Sequence, residues 1–123
     1  MTLTDFRSYC LAKPGVTEDT PFGPDTLVLR VKGKMFALTG LELFTFVNLK
    51  CDPERALDLR DRYAGITPGY HMSKKHWNSV LMDGSVPEPL VMELIDHSYE
   101  LVRASLPARV RGTLAPSGEQ GRT

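Results

Sequence analysis

The sequence predicts an α+β fold, a two-layer sandwich in which one antiparallel sheet carries helices packed on it, in the order α-β-β-β-α-β-β-α. Three observations lead there. Short β-branched and aromatic runs, broken by tight-turn signals, fall into two groups. Three other stretches repeat their apolar residues at helical spacing, and one of these separates the two groups of strands. A chain of 123 residues suits a single core, and 41% hydrophobic against 24% charged content sets it apart from disordered sequences. The expected organisation is one domain over residues 1–106 and a flexible tail over 107–123, rich in Gly, Pro, Ser and Arg and contributing nothing to the core.

Taken in order, Leu3 to Lys13 reads as an amphipathic helix with Leu3, Phe6 and Cys10 on one stripe, Thr2 and Asp5 as a capping box, and Pro14-Gly15 as its stop. Val16 to Pro24 reads as an ordered loop because Pro21, Gly23 and Pro24 oppose regular structure, and Phe22 is expected to plug that loop into the core. Leu27 to Lys32 and Lys34 to Leu38 form a hairpin about Gly33. Phe44 to Leu49 supplies a third strand.

Asp52-Pro53-Glu54 starts a helix, since the aspartate accepts from orphan amides and proline suits the first turn; the helix runs to about Tyr63 and Gly65 ends it. Ile66-Thr67 and Trp77 to Met82 are the second group of strands, the latter closed by Asp83-Gly84. The last helix begins near Pro87-Glu88-Pro89 and continues to Val102, with Val91, Leu94, Ile95, Ser98, Leu101 and Val102 on its inner stripe. His97 on this helix reads as a solvated surface residue.

The densest chemistry lies between the last two strands, in Pro68-Gly69-Tyr70-His71-Met72-Ser73-Lys74-Lys75-His76-Trp77. From Arg62 to Met82 there is no acidic residue, although Lys and Arg total 15 against 15 Asp and Glu. Arg30, Lys32 and Lys34 make a second acid-free basic patch at the hairpin tip. A balanced total charge disfavours a general nucleic-acid binder and leaves a focused patch as the form such binding would take.

Pro21-Phe22-Gly23 followed by Asp25, Val31-Lys32-Gly33-Lys34-Met35-Phe36, Lys50-Cys51-Asp52-Pro53, Pro68-Gly69-Tyr70-His71-Met72 with Lys74, His76 and Trp77, Asp83-Gly84 and Ser98-Tyr99-Glu100-Leu101 resemble the MmcQ/YjbR family of small bacterial proteins over about residues 1 to 106. The resemblance implies a two-layer α+β fold called CyaY-like, or double-wing after its two hairpins. It also implies the family's usual label of DNA binding. It brings no catalytic residues.

Three function classes follow. For DNA, Arg30, Lys32, Lys34, Lys74 and Lys75 would meet phosphates while His76 and Trp77 shape the contact or stack on a base; against this, lysines commonly solvate hairpin tips and a single tryptophan often fills a core. For a protein- or small-ligand-binding module, Phe22, Tyr70 and His71 would line a groove between the Pro21-Phe22-Gly23 loop and the Pro68 to Trp77 turn. For an enzyme, the chain lacks a nucleophile elbow and a phosphate loop, and Ser73 and Ser79 stand near His76 without a dyad pattern. His71, His76 and Cys51 lack metal-ligand spacing, and Cys10 and Cys51 read as buried, reduced thiols. The expectations are therefore a non-catalytic monomer with no cofactor or metal, no membrane segment and no secretory signal, located in the cytoplasm.

Overall fold

The computed structural model describes residues 1–69 and 72–114. Ten elements follow one another: α1 (Leu3–Leu11), β1 (Val16–Asp19), β2 (Thr26–Val31), β3 (Lys34–Gly40), β4 (Phe46–Lys50), α2 (Pro53–Arg62), β5 (Ile66–Pro68), β6 (Trp77–Leu81), α3 (Glu88–Ala104) and α4 (Ala108–Arg111). The strands form one antiparallel sheet in the order β1-β2-β3-β4-β6-β5. The α+β sandwich expected from the sequence is the observed fold, with an added edge strand and a short final helix.

Strand alternation gives the sheet two different faces. One face sends Leu27, Leu29, Val31, Ala37, Val47, Leu49 and Val80 into the main core, where Phe6 and Cys10 of α1 and Val91, Leu94, Ile95 and Val102 of α3 meet them. Among the described residues no helix lies on the other face. Across it the register aligns Val28 with Leu38, Leu38 with Asn48, Asn48 with Ser79 and Ser79 with Thr67.

A β-bulge breaks simple alternation in β3. Leu29 pairs with Ala37 but Arg30 pairs with Met35, so Phe36 is the extra residue. Its ring enters the core and meets Tyr99 edge-on at 5.6 Å, while Met35 is left on the open face. The Phe36 carbonyl, released from the ladder, accepts from Ser98 Oγ at 2.5 Å, and Ser98 Oγ in turn accepts from the Lys50 amide at 2.9 Å. A fully buried serine on α3 thus bridges β3 and β4 where their direct pairing ends at Ala37 and Leu49.

Helix ends follow their local chemistry. Thr2 and Asp5 form the expected capping box on α1. Asp52 caps α2 by accepting from the Arg55 amide at 3.1 Å, with proline in the first turn. The Asp52 amide itself donates to His97 Nε2 at 3.1 Å, so His97 is a half-buried tie between α3 and α2 and not the solvated residue expected. Lys13 and Tyr9 of the α1 end both bond the Asp96 carboxylate, at 2.5 and 2.7 Å, and join that end to α3.

Three further expectations change. Val16–Asp19 forms a strand because the prolines come only after it, and Arg7 of α1 binds Glu18 in a bidentate pair. Phe22 does not plug the core: it is 64% exposed, since the Thr20 to Pro24 turn projects away from the helices. The segment after Pro107 does reach the core, because α4 turns Leu114 inward to 8% exposure against Gly15, whose added Cβ would lie 2.5 Å from Leu114 Cδ2.

Replacing Ser98 with alanine strands the Phe36 carbonyl and the Lys50 amide in the core, and urea unfolding should show a loss of about 1–3 kcal/mol; an unchanged midpoint would rule out the bridge as a stabilising contact. Burial, then the nearby Arg55 charge, lowers the His97 pKa from its ordinary 6.5. The unfolded chain then takes up the proton more readily, so His97's contribution is complete above pH 6.5 and is lost as pH falls below it. His97→Gln should flatten the stability profile in that window, as read by thermal melts across pH.

Candidate functional site

The strand directions bring the two basic turns to one end of the sheet. β2 ends at Val31 and β3 begins at Lys34, while β4 ends at Lys50 opposite Trp77, the first residue of β6. Only β4 separates β3 from β6, so the Lys32–Lys34 turn and the turn before Trp77 stand about 10 Å apart across the sheet. Lys32, Lys34, Lys74, Lys75 and His76 are all exposed there, and Lys32 holds a left-handed conformation, φ 48°, that aids the tight reversal. Lys50, which the sequence offered only within Lys50-Cys51-Asp52-Pro53 and not as a site residue, is half-buried on the open face and adds a cation. Its alternation with Phe46 and Asn48 was the available signal.

Two residues assigned to DNA contact, Arg30 to phosphate and Trp77 to stacking, do not fit those roles. Arg30 donates to Asp19 Oδ1 at 3.1 Å and to the Gly33 carbonyl at 3.2 Å, so its charge is already paired across the β1–β2 ladder. Trp77 is 8% exposed and packs with Val28 and Leu38 on the open face, with Met35 and Met72 against them, which removes its ring from base stacking. Tyr70 and His71 lie outside the described residues.

Arg60 of α2 holds the focal turn. Its Nε donates to Asn78 Oδ1 at 2.7 Å, and its Nη2 bonds the carbonyls of Lys74 and, at 3.4 Å, Trp77. Asn78 in turn donates to the Ala56 carbonyl of α2. The His76 and Trp77 amides both return to the Ser73 carbonyl, and the Gly69 amide donates to the Trp77 carbonyl at 2.8 Å. Glycine is required at 69 because a Cβ there would stand 2.7 Å from Trp77 Cβ. Arg60 was legible only through helical spacing, since it follows buried Ala56 and Leu59 on the inward stripe.

The open face also carries a groove of about 620 Å³, bordered by Phe22 from the loop before β2 and by Met72 from the loop before β6. These are the two loops expected to converge. Between them lie Met35 and Leu38 of β3, Phe46 and Asn48 of β4, and Leu43 and Thr45 of the β3–β4 connection. Phe22, Leu43 and Phe46 are 64%, 74% and 42% exposed, so three of the large apolar side chains left in solvent edge one concavity. A neighbouring hollow of about 380 Å³ shares Phe46 and Asn48 and extends across Ser79 to Thr67. Asn48 Oδ1 accepts from Ser79 Oγ at 2.5 Å, which turns its amide edge into a fixed polar group on this surface.

Nucleophile and metal chemistry find little here. Both cysteines are free and buried; burial pushes the Cys10 thiol up to about 12 and also raises Cys51, so neither presents a thiolate at neutral pH. Among the described residues no three His, Cys, Asp or Glu side chains gather as a metal set, and no helix is long and apolar enough to cross a membrane.

A family model described as YjbR matches residues 11–101. The chain is 41% identical over 111 residues to the uncharacterized protein YbdF of Escherichia coli O157:H7, covering 89% of this chain and 91% of that one. It is 33% identical over 115 residues to the uncharacterized protein YjbR of Escherichia coli strain K12, covering 93% and 98%. Among solved structures, the crystal structure of Deinococcus radiodurans protein DR2400, a DUF419 domain, superposes with a TM-score of 0.87 at 40% identity over 91% of this chain and 86% of that one.

Arg60→Ala should release the focal turn, and the His76 and Trp77 amides should then exchange with solvent about tenfold faster or more, as charged hydrogen bonds of this kind are lost. Hydrogen exchange followed by NMR reads this directly; unchanged rates would show that the turn holds itself.

Proposed function

The chain belongs to the YjbR family, and on that premise we propose that it is a non-catalytic binding module whose open sheet face receives a ligand in the groove between the Phe22 and Met72 loops. The single observation that carries this reading is the gathering of exposed Phe22, Leu43 and Phe46 around one cavity of about 620 Å³, within the size range of small-molecule sites. Helices cover the other face of the sheet. On this face Leu38, Met35 and Met72 line the groove and pack with Val28 and Trp77, while Asn48, Thr26 and Thr45 supply uncharged polar groups to the lining.

A second reading, DNA binding, is supported by the convergence of Lys32, Lys34, Lys74 and Lys75 at one end of the sheet. On this reading the contact is to phosphate alone, since Trp77 is packed and Arg30 is paired. Burial of the Cys10 and Cys51 thiols and the want of a nucleophile motif support a protein that holds its partner without transforming it.

Titration with the uncharged apolar dye N-phenyl-1-naphthylamine should give a saturable fluorescence rise that is insensitive to salt, and Leu43→Ser, at a position 74% exposed, should weaken it without lowering stability. A dye response that Leu43→Ser leaves intact would remove the groove. For the second reading, duplex DNA of mixed sequence should bind with a log–log salt slope of about −3 to −4 if four lysines each meet a phosphate. Lys74→Ala with Lys75→Ala should reduce that slope by about 2, and no DNA shift at low salt would end it.

A further inference from the structure

We propose that the occupant of the groove is a soluble amphipathic anion, with its apolar body along β3 and β4 and its charged group at the lysine end; this rests on the groove reading above and names the ligand class for it. The groove itself is lined by no charged side chain among the described residues. Its two ends differ in what stands just beyond the lining.

At one end the lining residues are Met35 and Met72. Lys34 precedes Met35, and Lys74 follows Met72 by two residues, so their Cα atoms lie within about 4 and 8 Å of lining positions and their side chains have the length to reach the mouth. Lys50 lies at the same end, two residues beyond lining Asn48 and on the same strand face, about 7 Å along β4. Among the described residues none of these three lysines forms an ion pair, whereas Arg30 beside them is matched by Asp19.

At the other end the lining residues are Thr26, Gly40 and Leu43, and their chain neighbours are Asp25 and Glu42. Asp25 Oδ1 accepts from the Glu42 amide at 2.8 Å, which fixes a carboxylate at that end. An apolar slot with unpaired cations at one mouth and carboxylates at the other has a preferred direction. A ligand with one anionic group on an apolar chain satisfies it: the chain replaces water over Leu38, Phe46, Leu43 and Phe22, and the head meets ammonium groups that need not be desolvated fully. A cationic amphiphile laid the same way meets repulsion at the lysines.

The test is competition against N-phenyl-1-naphthylamine by three ten-carbon compounds kept below micelle formation: sodium decanoate, 1-decanol and decyltrimethylammonium. Decanoate should displace the dye at a concentration about fivefold or more below decanol, since one exposed charge contact is worth about 1 kcal/mol. In the double variant Lys34→Glu, Lys74→Glu decanoate should lose its advantage over decanol and fall behind the cation. Equal displacement by all three, sensitive to Leu43→Ser, would overturn the anion preference and leave the groove reading standing; no dye binding at all would overturn both. Binding only to vesicles containing phosphatidylglycerol, without decanoate competition, would overturn the proposal in favour of a membrane surface. A dimer in sedimentation equilibrium that Leu43→Ser dissolves, again without competition, would overturn it in favour of a second copy.

Discussion

A single hydroxyl joins the two layers of this molecule at their least regular point. The β3 bulge frees the Phe36 carbonyl from its ladder, and the β3–β4 pairing ends beside it at Ala37 and Leu49, so a polar acceptor and a polar donor face the core side of the sheet with no strand to satisfy them. Ser98 answers both at once, donating to Phe36 and accepting from Lys50, with no exposure to water. Leaving either group unpaired would cost more than an ordinary hydrogen bond gains. The rotation and depth of α3 are thereby set against the sheet, and the neighbouring His97 and Tyr99 inherit their partners, the Asp52 amide and the Pro14 carbonyl at 2.6 Å.

That arrangement explains why one face of the sheet is left for other uses. α1 and α3 saturate the inner face, so apolar residues on the outer face must either pack among themselves or meet solvent. Val28, Leu38 and Trp77 do the first; Phe22, Leu43 and Phe46 do the second. The bulge contributes here too, because strict alternation would turn Met35 inward with Ala37, and the extra residue keeps it beside the groove. Arg60 reaches from α2 to hold the turn before β6, so the mouth of the groove and its lysines rest on a helix and not on the loop alone.

The main elements were legible because their signals are local. Caps at Thr2 and Asp52, the Gly33 turn and the helical stripe from Val91 to Val102 each act within a few residues. What escaped depended on contacts distant in sequence. Glu18 joins a strand through Arg7, eleven positions away, and Leu114 fills a space that Gly15 leaves open, so neither segment announces itself by composition. Phe22 and Trp77 are both large rings beside basic or turn-forming stretches, and residue type alone could not assign one to solvent and the other to a packed cluster. The site was legible in part: the two loops and the lysines were singled out, but Lys50, Arg60 and the apolar edge at Leu43 and Phe46 required the register to bring them together.

The sheet's outer strands bear on what an exposed apolar face would otherwise invite. An open β-surface beside a long unpaired strand is a template on which further chains add by backbone pairing. Here one margin is β5, three residues long and ended by Pro68, which has no amide hydrogen to offer. The other margin is β1, four residues carrying Glu18 and Asp19, each already engaged by an arginine. Growth into fibrils by edge addition is therefore obstructed at both sides, and the molecule can keep a sticky surface on display while remaining a poor seed for its own polymerisation.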